Sequence, residues 1–580
     1  MNQHSDTGDL PKFLIAHWRF GWIAFAGALT LVATVALGHE STAEKGMIAT
    51  GHALATEAGI EVFRDGGNAV DAAVAAALTL GVVDGNNSGI GGGCLILIRS
   101  ADGRLTAIDG REMAPSAATK DMFIRNGEAI PEASQTGPLA SGVPGALAAY
   151  QLAIEKCGRM KLARLLQPGI ENAANGFRIR RGLAGAIKGT KRSLREFPGS
   201  AAIFLHADGS PREEGEVLVQ TDLAGTYRSI AEHGTDWFYR GPFAQAVGKW
   251  MAKNGGIMTA EDFATYQAKL REPLETSYRG YTIIGFPPPS SGGIHVAEML
   301  NMLELFDLRA IHERDPVEAS QIVAESFKLA FADRAYWLGD SDFVTVPRGL
   351  ISKAYAKELA ARIDPHQTKD VLMHGTPPEW RQNVFGRHTT HISAADADGN
   401  WVAITATINT AFGSKVVVPG TGVMLNDEMD DFSIMPGVPN AFGLVGAEHN
   451  AVAPGKRPLS SMSPTIVLDQ QKRPILSIGA AGGPKIITAV LLGIVRYLDF
   501  QQPLENAIGD PRFHHQWRPN AIMAEKRISH EIVAGFRERG HEVEIVGSGT
   551  GGRSQGVARD ATGVLRGVAD PRGDGSAGGV

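Results

Sequence analysis

The chain has 580 residues, of which 43% are hydrophobic and 20% charged, and its net charge is −6. These values are typical of a globular protein and exclude a disordered one. No long basic run occurs, so nucleic acid is not expected as a partner. Cys94 and Cys157 are the only cysteines, which excludes a disulfide framework and a cysteine-rich metal site but leaves one bridge between them open.

An apolar segment lies close to the N-terminus. Residues 20–38 carry no charge, and Lys12 and Arg19 precede them. A charged start, an apolar run and a small-residue end are typical of a secretory signal, and the run is just long enough to span a bilayer. We therefore expect residues 1–38 to be a cleaved signal peptide or a retained membrane anchor, with a buried core helix as the third alternative. Both membrane interpretations predict an exported protein, periplasmic or anchored facing outside the cytoplasm.

Helical and strand patterns alternate after this segment. Helices are predicted over 53–64, from 69 to about 80 behind the N-cap Asn68, from Pro316 to about 338 behind the N-cap Asp315, over 484–500, and after Ser529. Strands are predicted at 94–99, 105–109, 389–394, 401–409 and 474–479. Residues 366–387 are polar and lack periodicity, so they are predicted to form a long loop or linker that ends just before Thr389.

The segment from Thr389 to Asn409 has the pattern of a hairpin, with Asp398 and Gly399 as its turn pair. In the second strand, apolar residues at 402, 404, 406 and 408 alternate with residues 403, 405, 407 and 409, which therefore face the other side. This register places Thr389 opposite residues 406–408, within reach of Thr407 and Asn409. The pattern alone is equally consistent with polar side chains that face water.

Several short motifs follow one another along the chain. They lie at 88–93, 110–115, 287–295, 389–391, 407–409, 425–432, 456–465, 482–483 and 510–517. As an ordered set they resemble the γ-glutamyltranspeptidases of the N-terminal-nucleophile hydrolase superfamily, over essentially everything after the first 38 residues. The glycine-rich run 88–93 lacks the Gly-Lys-Ser/Thr of a P-loop and is expected to pack against a neighbouring backbone.

The resemblance implies an α/β fold, namely a four-layer αββα sandwich of two packed sheets covered by helices. It also implies a precursor that cuts itself between His388 and Thr389. The products would be a large subunit, 39–388, and a small catalytic subunit, 389–580, held together as a heterodimer by one shared core. No cofactor and no metal ion is expected, because an N-terminal threonine carries both a hydroxyl nucleophile and an α-amine that can act as base.

The resemblance also assigns a role to each site residue. Thr389 would be the nucleophile, Thr407 would orient it, and the backbone N–H groups of Gly482 and Gly483 would stabilise the oxyanion. A γ-glutamyl group carries an α-carboxylate, for which Arg111, Ser460 and Ser461 are suited, and an α-ammonium, for which Asn409, Glu428 and Asp431 are suited. Taken singly, Arg111 would be a surface charge, and the glycine pair would be a simple turn.

The implied reaction is attack of Thr389 on a γ-glutamyl amide such as glutathione, followed by release to water, an amino acid or a dipeptide. Many bacterial relatives have tyrosine in the lid loop where this chain has Phe442, which leaves the balance of hydrolysis and transfer open. One alternative is an amidase of the same fold for another acyl group, such as a cephalosporin acylase or an oxamate amidohydrolase. Another is a non-enzymatic, membrane-tethered binding protein.

Overall fold

Two stacked β-sheets form the centre of the protein in the computed structural model, which describes residues 38–378, 391–547 and 551–580. The strands in chain order are β1 (Glu40–Ala43), β2 (Gly46–Thr50), β3 (Gly93–Arg99), β4 (Leu105–Gly110), β5 (Ile124–Arg125), β6 (Glu128–Ala129), β7 (Phe177–Arg178), β8 (Val217–Leu218), β9 (Lys269–Arg271), β10 (Leu274–Tyr278), β11 (Tyr281–Gly285), β12 (His391–Asp396), β13 (Trp401–Thr407), β14 (Thr465–Leu468), β15 (Pro474–Ala481), β16 (Phe513–His514), β17 (Ile522–Glu525), β18 (Val543–Val546), β19 (Arg553–Arg559), β20 (Leu565–Ala569) and β21 (Ser576–Gly579).

Each central sheet has seven strands. The first sheet has the order β21-β2-β12-β13-β3-β4-β9, and the second has the order β1-β20-β19-β15-β14-β11-β10. All neighbours within both sheets are antiparallel. Each sheet contains strands from before and from after Thr389, so the two predicted subunits share both sheets.

Helices cover the outer face of each sheet. They are α1 (Ala53–Arg64), α2 (Ala69–Val83), α3 (Pro131–Gln135), α4 (Ala146–Cys157), α5 (Leu162–Leu165), α6 (Gln167–Asn175), α7 (Arg181–Glu196), α8 (Pro198–Phe204), α9 (Thr221–His233), α10 (Asp236–Tyr239), α11 (Pro242–Asn254), α12 (Ala260–Thr265), α13 (Gly292–Leu303), α14 (Leu308–Arg314), α15 (Pro316–Trp337), α16 (Lys353–Ala360), α17 (Lys485–Leu498), α18 (Leu504–Gly509) and α19 (His530–Glu538). Short 3₁₀ turns occur at Pro138–Ala140, Arg348–Ile351, Glu428–Asp431 and Glu448–Asn450.

Three apolar cores separate these layers. Val402 and Ile404 of β13 pack with α1, α2 and α4 on one side of the first sheet. Trp401 and Ala403 of the same strand pack against the second sheet. A third core joins the second sheet to α13, α15 and α17. The four-layer αββα prediction is confirmed, and the polar face of β13 faces another sheet rather than water.

Local signals set the ends of the predicted helices. Asn68 caps α2 in a capping box with Asp71, Asp315 caps α15, and Ser529 caps α19. These caps agree with the prediction, because side-chain oxygens satisfy N–H groups that the first helical turn leaves unpaired. Helix α1 has its predicted bounds.

The remaining predictions can be compared with the structure only where the residues concerned are described. Residues 366–378 contain no helix or strand, as expected of the predicted loop. Cys94 and Cys157 are both free thiols, so the bridge left open is not formed. Residues 1–37 and both residues of the predicted cleavage bond, His388 and Thr389, lie outside the described residues. Within the described ranges, no helix combines the length and the apolar character needed to cross a membrane.

Candidate active site

The hairpin of β12 and β13 lies in the middle of the first sheet. His391 pairs with Thr405, and Gly399 takes the positive φ of +98° that the predicted turn requires. Thr389 precedes the first described residue of this hairpin by two positions. His391 is fully buried between the hydroxyl groups of Thr405 and Ser393, and burial lowers its pKa to about 3. A histidine held neutral in this way is not a cationic group of the site.

The end of β13 is fixed by close backbone contacts. Thr407 is its last residue, and its Oγ1 accepts a hydrogen bond from the backbone N–H of Asn409 at 2.7 Å. Asn409, at a φ of +75°, donates from Nδ2 to the backbone oxygen of Asp427 at 3.0 Å. A Cβ on Gly92 would lie 1.9 Å from the backbone oxygen of Thr407. The prediction that the glycine run packs against a backbone is confirmed.

Arg111 is fully buried among carboxylates. Its Nη1 donates to Glu112 at 3.2 Å and also to Glu428, and its Nη2 donates to Asp431 at 2.6 Å. Its Nε donates to the backbone oxygen of Pro458 at 3.2 Å. The structure thus brings Arg111, Glu428 and Asp431 together, where the sequence taken residue by residue suggested surface charges.

Three carboxyl groups around one guanidinium give the cluster an acidic excess. Burial raises the pKa of Glu112 to about 7 and raises the pKa values of Glu428 and Asp431, while Arg111 opposes each shift. A cluster with spare acidic groups favours a ligand that carries an ammonium group.

The loop around Phe442 joins this cluster to the glycine pair. Asn440 donates from Nδ2 to Asp431 at 3.2 Å and accepts from the N–H of Phe442 at 3.0 Å. The ring of Phe442 covers Gly483, where an added Cβ would lie 2.8 Å from Cδ1 of the ring. Phe442 therefore lies between the acidic cluster and the predicted oxyanion site.

The glycine pair has a backbone that other residues rarely adopt. Gly482 has a φ of +133° and Gly483 a φ of +61°, both in the region that favours glycine. Neither N–H donates a hydrogen bond to another described residue. These two backbone N–H groups lie just before α17 and are suited to bind an oxyanion. Because both residues are glycines, neither has a side chain that could block access to its own N–H group.

Ser460 and Ser461 are fully buried in a segment tied to the cluster. Asn450 donates from Nδ2 to the backbone oxygen of Asp431 at 2.6 Å, and its Oδ1 accepts from the N–H of Leu459 at 2.9 Å. Ser460 donates from its backbone N–H to Pro289 at 3.1 Å. One asparagine thus fixes the distance between the serine pair and the acidic cluster.

Comparison with known proteins agrees with this geometry. The family model described as Gamma-glutamyltranspeptidase matches residues 55–580. The glutathione hydrolase proenzyme of Escherichia coli (strain K12) is 43% identical over 539 residues, which cover 92% of this chain and 91% of that protein. The chain belongs to the gamma-glutamyltranspeptidase family.

Other proteins similar to this chain are named as acylases. The acylase ACY 1 proenzyme of Pseudomonas sp. (strain SE83) is 37% identical over 92% of this chain and 94% of its own length. The crystal structure of cephalosporin acylase from Bacillus halodurans superposes with a TM-score of 0.83 at 29% identity, over 93% of this chain and 97% of that one. The sequence-based prediction of an enzyme of the gamma-glutamyltranspeptidase type is confirmed, and the individual residue roles stay predictions.

Two members of the site in this gamma-glutamyltranspeptidase-family chain were missed from the sequence. Glu112 lies in the same motif as Arg111 and contacts it, and Asn440 bridges Asp431 to the Phe442 loop. A glutamate next to a motif arginine was a signal that could have been followed. Asn440 offered none, because asparagine before a glycine-containing turn is common in ordinary loops.

Proposed function

We propose that the protein is a glutathione hydrolase proenzyme that cuts its own His388–Thr389 bond and then transfers γ-glutamyl groups from amides to water or to amines. The observation that carries this proposal is the continuous contact from the acidic cluster at Asp431, through Asn440 and Phe442, to the unused N–H groups at Gly483. It joins a site for a charged amino-acid head to a site for an oxyanion.

The register of the hairpin supports Thr389 as the nucleophile. His391 pairs with Thr405, so continuing the strand by two residues would set Thr389 opposite Thr407. Before cleavage, the Thr389 hydroxyl would add to the carbonyl carbon of His388 and its proton would pass to the amide nitrogen, so that the His388–Thr389 C–N bond breaks and an ester with a free α-amine forms. Water would then hydrolyse this ester, which leaves a carboxylate on His388 and restores the Thr389 hydroxyl. Attack within one chain replaces a bimolecular encounter and lowers the barrier by several kcal/mol.

Turnover would use the same hydroxyl. The freed α-amine takes the hydroxyl proton as Thr389 adds to the γ-carbonyl carbon. The ordinary pKa of such an amine is about 7.7–8.0, so part of it is neutral near pH 7 and can act as a base. The oxyanion is stabilised by Gly482 and Gly483, and the C–N bond breaks as the leaving amine receives the proton. Water, an amino acid or a dipeptide then attacks the γ-glutamyl ester and restores the hydroxyl.

Recognition of the acyl group separates this proposal from a second candidate. The acylase relatives favour an amidase for another acyl group. The acidic excess around Arg111 favours a donor with an α-ammonium. A glutaryl group is a γ-glutamyl group without that ammonium and is therefore the matched probe.

The test compares two chromogenic amides at equal concentration. We expect rapid release of p-nitroaniline from γ-glutamyl-p-nitroanilide, much slower release from glutaryl-p-nitroanilide, and faster release from the first when glycylglycine is present. Preference for the glutaryl amide would favour the acylase candidate, and no release from either amide would contradict both.

We also propose that the protein is exported, periplasmic or anchored facing outside the cytoplasm. The charged start and the apolar run of residues 20–38 support this location. Cell fractionation followed by N-terminal sequencing of the large fragment tests it. A fragment that begins near residue 39 in the periplasm indicates a cleaved signal, a membrane-bound fragment that begins at Met1 indicates an anchor, and a cytoplasmic protein would contradict export.

A further inference from the structure

Gln516 is a buried side chain that contacts the Phe442 loop, residues 439–443, from another part of the chain. It follows β16 in the motif 510–517, which contributes no residue to the acidic cluster or to the glycine pair. Its Nε2 donates to the backbone oxygens of Phe442 and Arg518, at 3.2 Å each. An added Cβ on Gly443 would lie 3.3 Å from the same nitrogen. The amide of Gln516 therefore lies directly against the backbone of the loop.

The hydrogen bonds of Gln516 determine which way its amide points. Both groups that Nε2 contacts are carbonyl oxygens, which can only accept, so the atom facing them must be the amide nitrogen. The amide oxygen then accepts from Nε2 of His514 at 3.0 Å, which puts the ring proton on that nitrogen. The other ring nitrogen, Nδ1, is left to accept from the hydroxyl of Thr488 at 2.9 Å. Burial lowers the pKa of His514 to about 3, which agrees with a neutral ring.

This chain of hydrogen bonds connects two sides of the predicted oxyanion site. Thr488 lies near the start of α17, the helix that follows the glycine pair. From there the bonds run through His514 and Gln516 to the backbone oxygen of Phe442. The ring of Phe442 in turn covers Gly483. The helix that follows the glycine pair and the ring that covers it are thus held by the same set of contacts.

Different kinds of contact hold the two sides of the loop. On the side of the acidic cluster, Asn440 donates to Asp431 at 3.2 Å, and the N–H of Ala441 donates to Asp430 at 2.8 Å. On the side of the glycine pair, the bond from Gln516 joins two neutral groups. Hydrogen bonds to a charged group are stronger than those between neutral groups. The Phe442 side is therefore the side that a single substitution can release.

We infer that Gln516 is a positioning residue, which holds the Phe442 loop closed over the predicted oxyanion site and thereby favours transfer of the acyl group to an amine over its hydrolysis. This inference rests on the proposed function, because it assumes an acyl-enzyme that both water and amines can attack. A closed loop limits the access of water. Gln516 acts through the backbone of the loop and not on the reacting atoms.

Gln516→Met tests this inference, because it keeps the length of the side chain and removes the amide. We expect the loop to open about fivefold more often, the change that loss of one hydrogen bond of ordinary strength produces. Chymotrypsin cuts after accessible aromatic residues, so its cleavage of the folded protein after Phe442, followed by mass spectrometry, should become about fivefold faster. The ratio of transfer to hydrolysis, measured with γ-glutamyl-p-nitroanilide and glycylglycine, should fall by about twofold or more.

Gln321→Met is the matched control. Gln321 of α15 is also buried, its Nε2 donates to the backbone oxygen of Asp364 at 3.3 Å, and its Oε1 accepts from Nε2 of His541 at 2.9 Å. The control loses the same two kinds of hydrogen bond, but neither partner belongs to the Phe442 loop. It should lower the thermal midpoint and leave both the chymotrypsin cleavage and the transfer ratio unchanged. If Gln516→Met does not fold, Gln516→Asn, whose amide is one methylene shorter in reach, should show the same two changes.

Two kinds of failure can be told apart. A wild-type protein without activity on the γ-glutamyl amide would overturn the proposed function, whereas the chymotrypsin measurement does not depend on activity. An active wild type whose Gln516 variants are cut after Phe442 at the wild-type rate would overturn only the inference about Gln516. Faster cutting with an unchanged transfer ratio would also overturn it, and so would equal changes in Gln321→Met.

Discussion

Arg111 shows how much a single residue depends on its surroundings. It is fully buried, and four of its contacts are to Glu112, Glu428, Asp431 and the backbone of Pro458. Removing one partner of a buried ionic network leaves uncompensated charge, so the network is sensitive to the shape of the cation as well as to its sign. The planar guanidinium matches several carboxylates at once, which a single ammonium cannot do.

Arg111→Lys should therefore be a severe change despite its conserved charge. We expect kcat/KM for γ-glutamyl-p-nitroanilide to fall by about tenfold or more, since one hydrogen bond to a charged group contributes about 1.5–3 kcal/mol. Steady-state kinetics on cut protein provide the measurement, with the cut fraction checked on a denaturing gel. A kcat/KM value within twofold of wild type would remove Arg111 from substrate recognition.

The titration of Glu112 should make the stability of the protein depend on pH. Its pKa rises from 4.5 to about 7 on folding, mainly through burial. A raised folded-state pKa contributes stability at pH values below 4.5 that is lost as the pH rises through about 7. Glu112→Gln removes this titration, so the variant should lose less stability than wild type between about pH 5 and 8. Thermal midpoints at both pH values test this, and equal losses in the two proteins would contradict it.

The loop 439–443 is the element that joins the two halves of the site. Asn440 and Ala441 are bound to Asp431 and Asp430, and the Phe442 ring lies on Gly483. Movement of the loop would therefore change the acidic cluster and the surroundings of the glycine pair at the same time. A closed loop excludes water, which favours an amine acceptor over hydrolysis.

Phe442→Tyr tests the loop without changing its ring. The added hydroxyl could hydrogen-bond to Asn409 and hold the loop closed, so we expect the ratio of transfer to hydrolysis to change. Product analysis with and without glycylglycine gives that ratio directly. Phe343→Tyr, which adds the same hydroxyl to an exposed ring, is the matched control. If Phe442→Tyr and this control gave the same ratio as wild type, Phe442 would have no part in acceptor choice.

Many helix ends and turns could be predicted because the residues that determine them lie close together in the sequence. The caps Asn68, Asp315 and Ser529 and the turn at Gly399 depend on residues within a few positions of one another. The stacking of two sheets came only from the family resemblance, since alternation along β13 does not reveal whether its polar face meets water or another sheet.

At the scale of the whole molecule, the proposed cut before Thr389 would divide the chain in two. Thr389→Ala should remain one full-length chain and be inactive, because the hydroxyl needed for both steps is gone. Thr389→Ser should still be cut, more slowly. A denaturing gel and N-terminal sequencing of the small band provide the test. A single uncut band from active wild-type protein, or a small band that begins at another residue, would defeat the proposal.

Both sheets contain strands from the two predicted subunits, and this affects how the protein can refold. Before the cut, folding concerns one chain and does not depend on concentration. After the cut, the same sheets can be rebuilt only when two separate chains meet, so refolding becomes bimolecular and dilution works against it. The mature protein would then stay folded because it unfolds slowly, and not because denatured molecules refold. Maturation would act as a one-way step, after which a denatured molecule is lost.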